Sequence, residues 1–139
     1  MPIRDELTYA KMSYKDFIVA YERLKKGELR LSAFRAYKAE RRLLQSLAMK
    51  HGLYNKKTKC AVPKKEMLIV ASQLEGSYKG IRKLTEIALS LFDKYRKGEV
   101  RKEDIITLLS GLNYEWLNGK LSREEINEIK KLQYTLNSL

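Results

Sequence analysis

The chain has 139 residues, enough for one domain, and its 44% hydrophobic and 33% charged residues with two prolines and seven glycines exclude a collagen-like or low-complexity polymer. A lone cysteine, Cys60, excludes an internal disulfide, and no apolar run reaches the roughly 18 residues a membrane span needs, so a cytoplasmic protein is expected. The net charge of +12 is uneven: residues 1–65 carry 17 Lys/Arg against 6 Asp/Glu, and residues 66–139 carry 12 against 11. Such asymmetry points to nucleic acid or another polyanion as partner, whereas a surface adapted to heat alone would mix both signs throughout.

Residues 1–12 show no period and are expected to form a flexible N-terminal arm ahead of a single domain at 13–139. Ser13-Tyr14-Lys15-Asp16 reads as a capping box with Asp in place of Glu, which predicts a helix starting there, with Phe17, Ile18, Tyr21 and Leu24 buried and Gly27 as its left-handed stop. Residues 28–52, ELRLSAFRAYKAERRLLQSLAMKHG, form the longest amphipathic stretch. At 100° per residue Leu29, Ala33, Ala36, Tyr37, Leu43, Leu44, Leu47 and Ala48 share one face, and Arg35, Lys38, Arg41 and Arg42 lie opposite. The short link predicts an antiparallel hairpin of these two helices.

Leu53–Val62, LYNKKTKCAV, has no period and is read as a basic loop. Pro63 suits the opening of a third helix, because its missing N–H is one that a helix start leaves unpaired; Met67–Ala71 and Leu74 are apolar almost all round, so this helix is expected to be the most deeply buried. Ser77–Lys97 carries a stripe of Ile81, Leu84, Ile87, Ala88, Leu91, Phe92 and Tyr95 and stops at Gly98. Residues 101–117 repeat the pattern with Ile105, Leu109, Leu112 and Trp116, with Gly111 and Asn113 as a point of division. Ser122-Arg123-Glu124-Glu125 is a full capping box before Ile126, Ile129, Leu132 and Leu136. The sum is an all-α, single-domain bundle of five to six helices.

The candidate binding surface is the cationic strip. Arg35, Lys38 and Arg42, spaced by three and four with Arg41 beside them, can follow three or four phosphates; Lys25, Lys26, Arg30 and Lys50 flank them, and Lys56, Lys57 and Lys59 in the loop extend the set. Aromatic residues interleaved with these cations, as base stacking would need, are not evident except for Tyr54 in the basic loop. Two buried polar candidates stand apart. Glu40 falls in the middle of the apolar face, where a carboxylate needs a buried Arg, Lys or Tyr hydroxyl, or else is a pocket acid with a raised pKa. His51, the only histidine, lies on the same stripe near the helix C-terminus, where it suits the dipole. No Cys/His/Asp cluster has metal-ligand spacing, no base accompanies Cys60, and no cofactor motif is present, so neither metal nor cofactor is expected.

The stretch KKGELRLSAFRAYKAERRLLQSLAMKHGL resembles the second-helix signature of the HEPN superfamily, in its archaeal PaREP-like branch, through Gly27, Ser32, Tyr37, Lys38, Ala39, Glu40, Leu47 and Ala48. EIALSLFDKYRKGEVRKEDIITLLSGL resembles that branch's later helix and the start of the next, so the likeness covers about residues 14–113. The resemblance implies a bundle of four or more helices, often dimeric, linked to nucleotide or RNA binding. Active members are metal-independent RNases that use an Arg, a spacer of four to six residues, and a His. Here eight residues separate Arg42 from His51, and no histidine follows in the later helix, so the binding tendency carries over and the catalysis does not. The expectation is a non-catalytic protein that binds RNA, DNA or nucleotide, with a homodimer or larger assembly left open. The alternatives are a structural subunit coating nucleic acid in a filament or ribonucleoprotein complex, and a degenerate RNase of the same superfamily.

Overall fold

A computed structural model describes residues 3–57 and 61–139 as one all-α domain of six helices: α1 (Glu6–Lys25), α2 (Leu29–His51), α3 (Met67–Leu74), α4 (Ile81–Lys97), α5 (Lys102–Gly111) and α6 (Arg123–Thr135). Short 3-10 turns occupy Lys64–Glu66, Tyr114–Leu117 and Leu136–Ser138, and no strand occurs among the described residues. None of the described helices is long and apolar enough to cross a membrane.

The first helix begins seven residues before Ser13. Asp5 is its N-cap, accepting from the Thr8 amide at 2.7 Å, so Glu6–Met12 is helix and not an arm. Ser13 is fully buried and its hydroxyl is committed elsewhere, to the Ala39 carbonyl of α2 at 2.6 Å. Two more serines bridge the hairpin in the same way, Ser32 to the Ala20 carbonyl at 2.7 Å and Ser46 to the Glu6 carbonyl at 2.9 Å. Between them lie the buried alanines 10, 20, 33, 36 and 39, and these small side chains allow the two backbones to approach closely enough for the hydroxyls to reach across. The turn itself needs Gly27, whose φ of +78° is costly for a side chain with a Cβ.

α2 is the axis of the bundle, packed by α1, α3, α4, α5 and the turn at Tyr114–Leu117. Its second half is buried on every side from Leu43 to Ala48. The eight-residue α3, by contrast, lies at the edge: Met67, Val70, Ala71 and Leu74 face inward at helical spacing while Ile69 is 60% exposed, so the expectation of a wholly buried third helix is corrected. A helix that short, with α4 and α2 as its main neighbours, has partners for one stripe only. α4 starts at Ile81 and not at Ser77, because Gly80 turns the chain at φ +96° and the Glu75 carboxylate accepts from the amides of Gly80 (2.7 Å) and Arg82 (2.9 Å). The division foreseen at Gly111 and Asn113 is the break between α5 and the next turn, and Gln133 of α6 closes it by donating to the carbonyls of Leu109 and Leu112. The Ser122 capping box is present as expected.

Candidate nucleic-acid interface

The cations of α2 divide between two directions. Arg35 turns to α1 and pairs with Asp16 at 3.0 Å; Asp16 is only 5% exposed, and burial pushes its carboxyl above the ordinary range against the pull of Arg35, then Lys38, Arg42 and Lys15. Arg42 lies on the same side and donates to Gln45 at 2.9 Å. Arg41 is taken up by the loop, donating to the buried Val62 carbonyl at 3.2 Å. All four strip residues are half-buried, so the strip is not the open surface that the helical wheel suggested. The cause is that α1 and the loop end at Val62 close over the edges of α2, and a half-buried guanidinium then satisfies acids and carbonyls of the fold.

The other candidates are also spread. Lys25, Lys26 and Arg30 are exposed near the hairpin turn, whereas Lys50 is exposed twenty residues along α2, roughly 30 Å away at 1.5 Å per residue. Lys56 and Lys57 are exposed on the loop, Lys56 lying 5.6 Å from the ring centre of Tyr54. Lys59 and Cys60 fall outside the described residues.

A second cationic cluster does form, on the seam between α2 and α4. Arg30, Phe34 and Lys38 recur every fourth residue and so share one face of α2. Phe34 stacks on Tyr95 of α4 (ring centres 5.2 Å apart, planes 23° apart), Tyr95 continues to Phe92 at 5.8 Å, and Phe92 to the buried Tyr37 at 4.5 Å. Phe34, Tyr95 and Phe92 are half-buried. A cation lies over each of them: Arg30 at 5.0 Å from the Tyr95 centre, Lys38 at 5.3 Å from Phe34, and Lys64, just after Pro63, at 4.1 Å from Phe92. None of these three cations is in an ion pair among the described residues. Arg30 also borders a cleft with Leu29, Gly98 and Val100. By their period Phe92 and Tyr95 belong to the core stripe of α4, and neither Phe34 nor Lys64 stands out by itself. The signal that was available is the alternation Arg30, Phe34, Lys38 at one-turn spacing.

Glu40 is completely buried, as expected, but its partner is a threonine: Thr85 of α4 lies 2.7 Å from Oε2, and Oε1 has no hydrogen-bond partner. Burial pushes its pKa up to about 7, with Thr85 and Arg41 opposing. The Thr85 hydroxyl also lies 2.9 Å from the Ile81 carbonyl, and it has one proton to give. A neutral Glu40 resolves this by donating to Thr85, which then donates to Ile81. His51 is exposed, not buried; it ends α2 with its Nε2 2.7 Å from the Tyr78 hydroxyl. Its place in the last helical turn, where no later element covers it, accounts for the difference. Among the described residues no three His, Cys, Asp or Glu side chains gather as metal donors.

The model of a family described as the archaeal PaREP1/PaREP8 family matches residues 8–118, a span that takes in all but the first two residues of α1, the whole of α2 to α5, the α2–α4 seam and Glu40. No curated protein and no solved structure matches the chain.

Proposed function

The chain belongs to the archaeal PaREP1/PaREP8 family, and on that premise we propose that it is a non-catalytic helical bundle that binds nucleic acid or nucleotide through cations of its N-terminal half, centred on Arg30, Lys38 and Lys64. The observation that carries this reading is that these three cations converge on one seam and that none of them forms an ion pair among the described residues, Lys38 being felt by Asp16 only at longer range, whereas Arg35, Arg41 and Arg42 serve the fold. Lys25 and Lys26, exposed at the hairpin end, extend the same field.

The non-catalytic part rests on geometry along α2. Arg42 and His51 are nine residues apart on one helix, which sets them on opposite sides and roughly 13 Å apart along the axis, and each bonds a different neighbour, Gln45 and Tyr78. An arginine and a histidine so placed do not meet at one phosphodiester. RNA incubated with the protein is expected to stay intact; cleavage lost on His51→Ala would reinstate an enzyme.

Binding is tested by titrating labelled RNA and DNA at two salt concentrations. Three neutralised phosphates give a slope of log affinity against log salt of about −2 to −3. The combined Arg30→Gln, Lys38→Gln and Lys64→Gln variant should lose both the affinity and the slope. Affinity that is indifferent to salt and to these three charges sinks the reading.

A further inference from the structure

We propose that the rings of Phe34, Tyr95 and Phe92 form a base-stacking platform, so that the polyanion taken by the α2–α4 seam is single-stranded nucleic acid. The inference rests on the polyanion reading above and adds to it the substrate class. Three half-buried rings follow one another at 5.2 and 5.8 Å between centres, with planes within 32° of parallel from each to the next. Rings placed so form a run of π faces along the α2–α4 seam. In a duplex each base already has both faces covered by its neighbours, so only an unstacked strand can use such faces, and stacking is tolerant of sequence because every base has one.

The cations explain how a strand would be received. Rings that merely sealed a seam between two helices would be covered by apolar side chains. Here Arg30, Lys38 and Lys64 lie over Tyr95, Phe34 and Phe92 at 5.0, 5.3 and 4.1 Å. Arg30 and Lys64 are exposed and Lys38 is half-buried, and a cation held on a ring face by so weak a contact can leave it for a phosphate. When a strand arrives, each cation moves from its ring to a phosphate and the vacated face takes a base. The positive charge therefore never goes unpartnered: it exchanges a ring quadrupole for a phosphate while the ring exchanges a cation for a base.

The test uses the full chain and three probes of equal length at one salt concentration: fluorescein-labelled oligothymidylate, the same backbone without bases, and a duplex. Oligothymidylate should bind more tightly than either of the others by roughly five- to hundredfold, the range expected for one base stacked on an aromatic ring. The Phe34→Leu/Tyr95→Leu variant keeps the seam apolar and should lower oligothymidylate affinity to that of the abasic strand, leaving duplex affinity unchanged. Equal affinity of unmodified protein for oligothymidylate and the abasic strand overturns the inference, and this measurement needs no variant to fold. Salt-dependent binding without that preference would sink the stacking inference alone and leave the polyanion reading intact, whereas no binding of any probe sinks both. A shift from dimer to monomer on Phe34→Leu/Tyr95→Leu, with no change in affinity for any probe, would assign the seam to a second copy and also overturn it.

Discussion

Thr85 of α4 and Glu40 of α2 lie 2.7 Å apart in the fully buried core, and the carboxyl's second oxygen meets no donor among the described residues. Its folded pKa of about 7 lies above the 4.5 of an ordinary glutamate, so folding takes up a proton between those values. A raised folded pKa contributes stability that is fully present below pH 4.5 and is lost as the pH rises through 7. The loss amounts to a few kcal/mol, about 1.4 for each pH unit between the two pKa values. Glu40→Gln keeps the shape and cannot ionise. Urea unfolding at pH 5 and pH 8 should show the unmodified protein weaker at pH 8 and the variant alike at both. A variant that is destabilised equally at the two pH values would mean that the carboxylate is ionised and paired in the folded chain.

Tyr114 sets a second buried hydroxyl against the hairpin. Its Oη lies 2.8 Å from Ser13 Oγ and 3.1 Å from the Ser13 carbonyl, and burial raises its pKa far out of the physiological range. Because Ser13 gives its own proton to Ala39, Tyr114 is the donor. Tyr114→Phe should cost about 1–2 kcal/mol, and with Ser13→Ala the two losses should be less than additive. Equilibrium unfolding of the four proteins of that cycle measures the coupling; strict additivity would mean that the two hydroxyls act apart.

Arg35 and Arg30 should separate stability from binding. Arg35→Gln leaves Asp16 buried without its ion-pair partner and should lower stability by about 1–3 kcal/mol, with nucleic-acid affinity changed less than twofold. Asp16→Asn added to Arg35→Gln should restore much of the loss. Arg30→Gln should do the reverse, leaving the melting temperature in place and weakening the complex. Thermal melts and anisotropy titrations on the same preparations decide the matter.

Gly80→Ala tests the entry to α4. A Cβ there meets no atom within 4 Å, yet φ is +96°, so the cost of about 1–2 kcal/mol is conformational alone. An unchanged unfolding midpoint would show that the turn relaxes without loss.

The helices were legible because their signals are local. The stripe of α4, the Ser122 capping box and the glycine after α1 each depend on a few neighbouring residues, and each appears where the sequence places it. Ser13 misled because a hydroxyl ahead of an apolar run reads the same whether it caps its own helix or crosses to another; Ala39, twenty-six residues on, decides which. The cationic strip misled for the same reason. A wheel places Arg35 and Arg42 away from the apolar face of α2, but it cannot show that α1 brings Asp16 to meet them. The seam of Phe34, Tyr95 and Phe92 needs residues some sixty positions apart to come together, and only the packing of α4 on α2 creates it. Glu40 was legible as buried but not as a partner of Thr85, because a threonine on a helix carries no sign of which distant carboxyl it will face.

The single tryptophan, Trp116, packs edge-on to Tyr78 at 5.7 Å, and Tyr78 meets His51 at the end of α2. Phe34 lies seventeen residues back along that helix, roughly 25 Å off. The molecule thus carries its indole chromophore at one pole and the ring pair of Phe34 and Tyr95 at the other. Emission excited in the indole band therefore reports on the packing of Trp116 against Tyr78, far from the Phe34 end of α2, so folding can be followed without an attached dye.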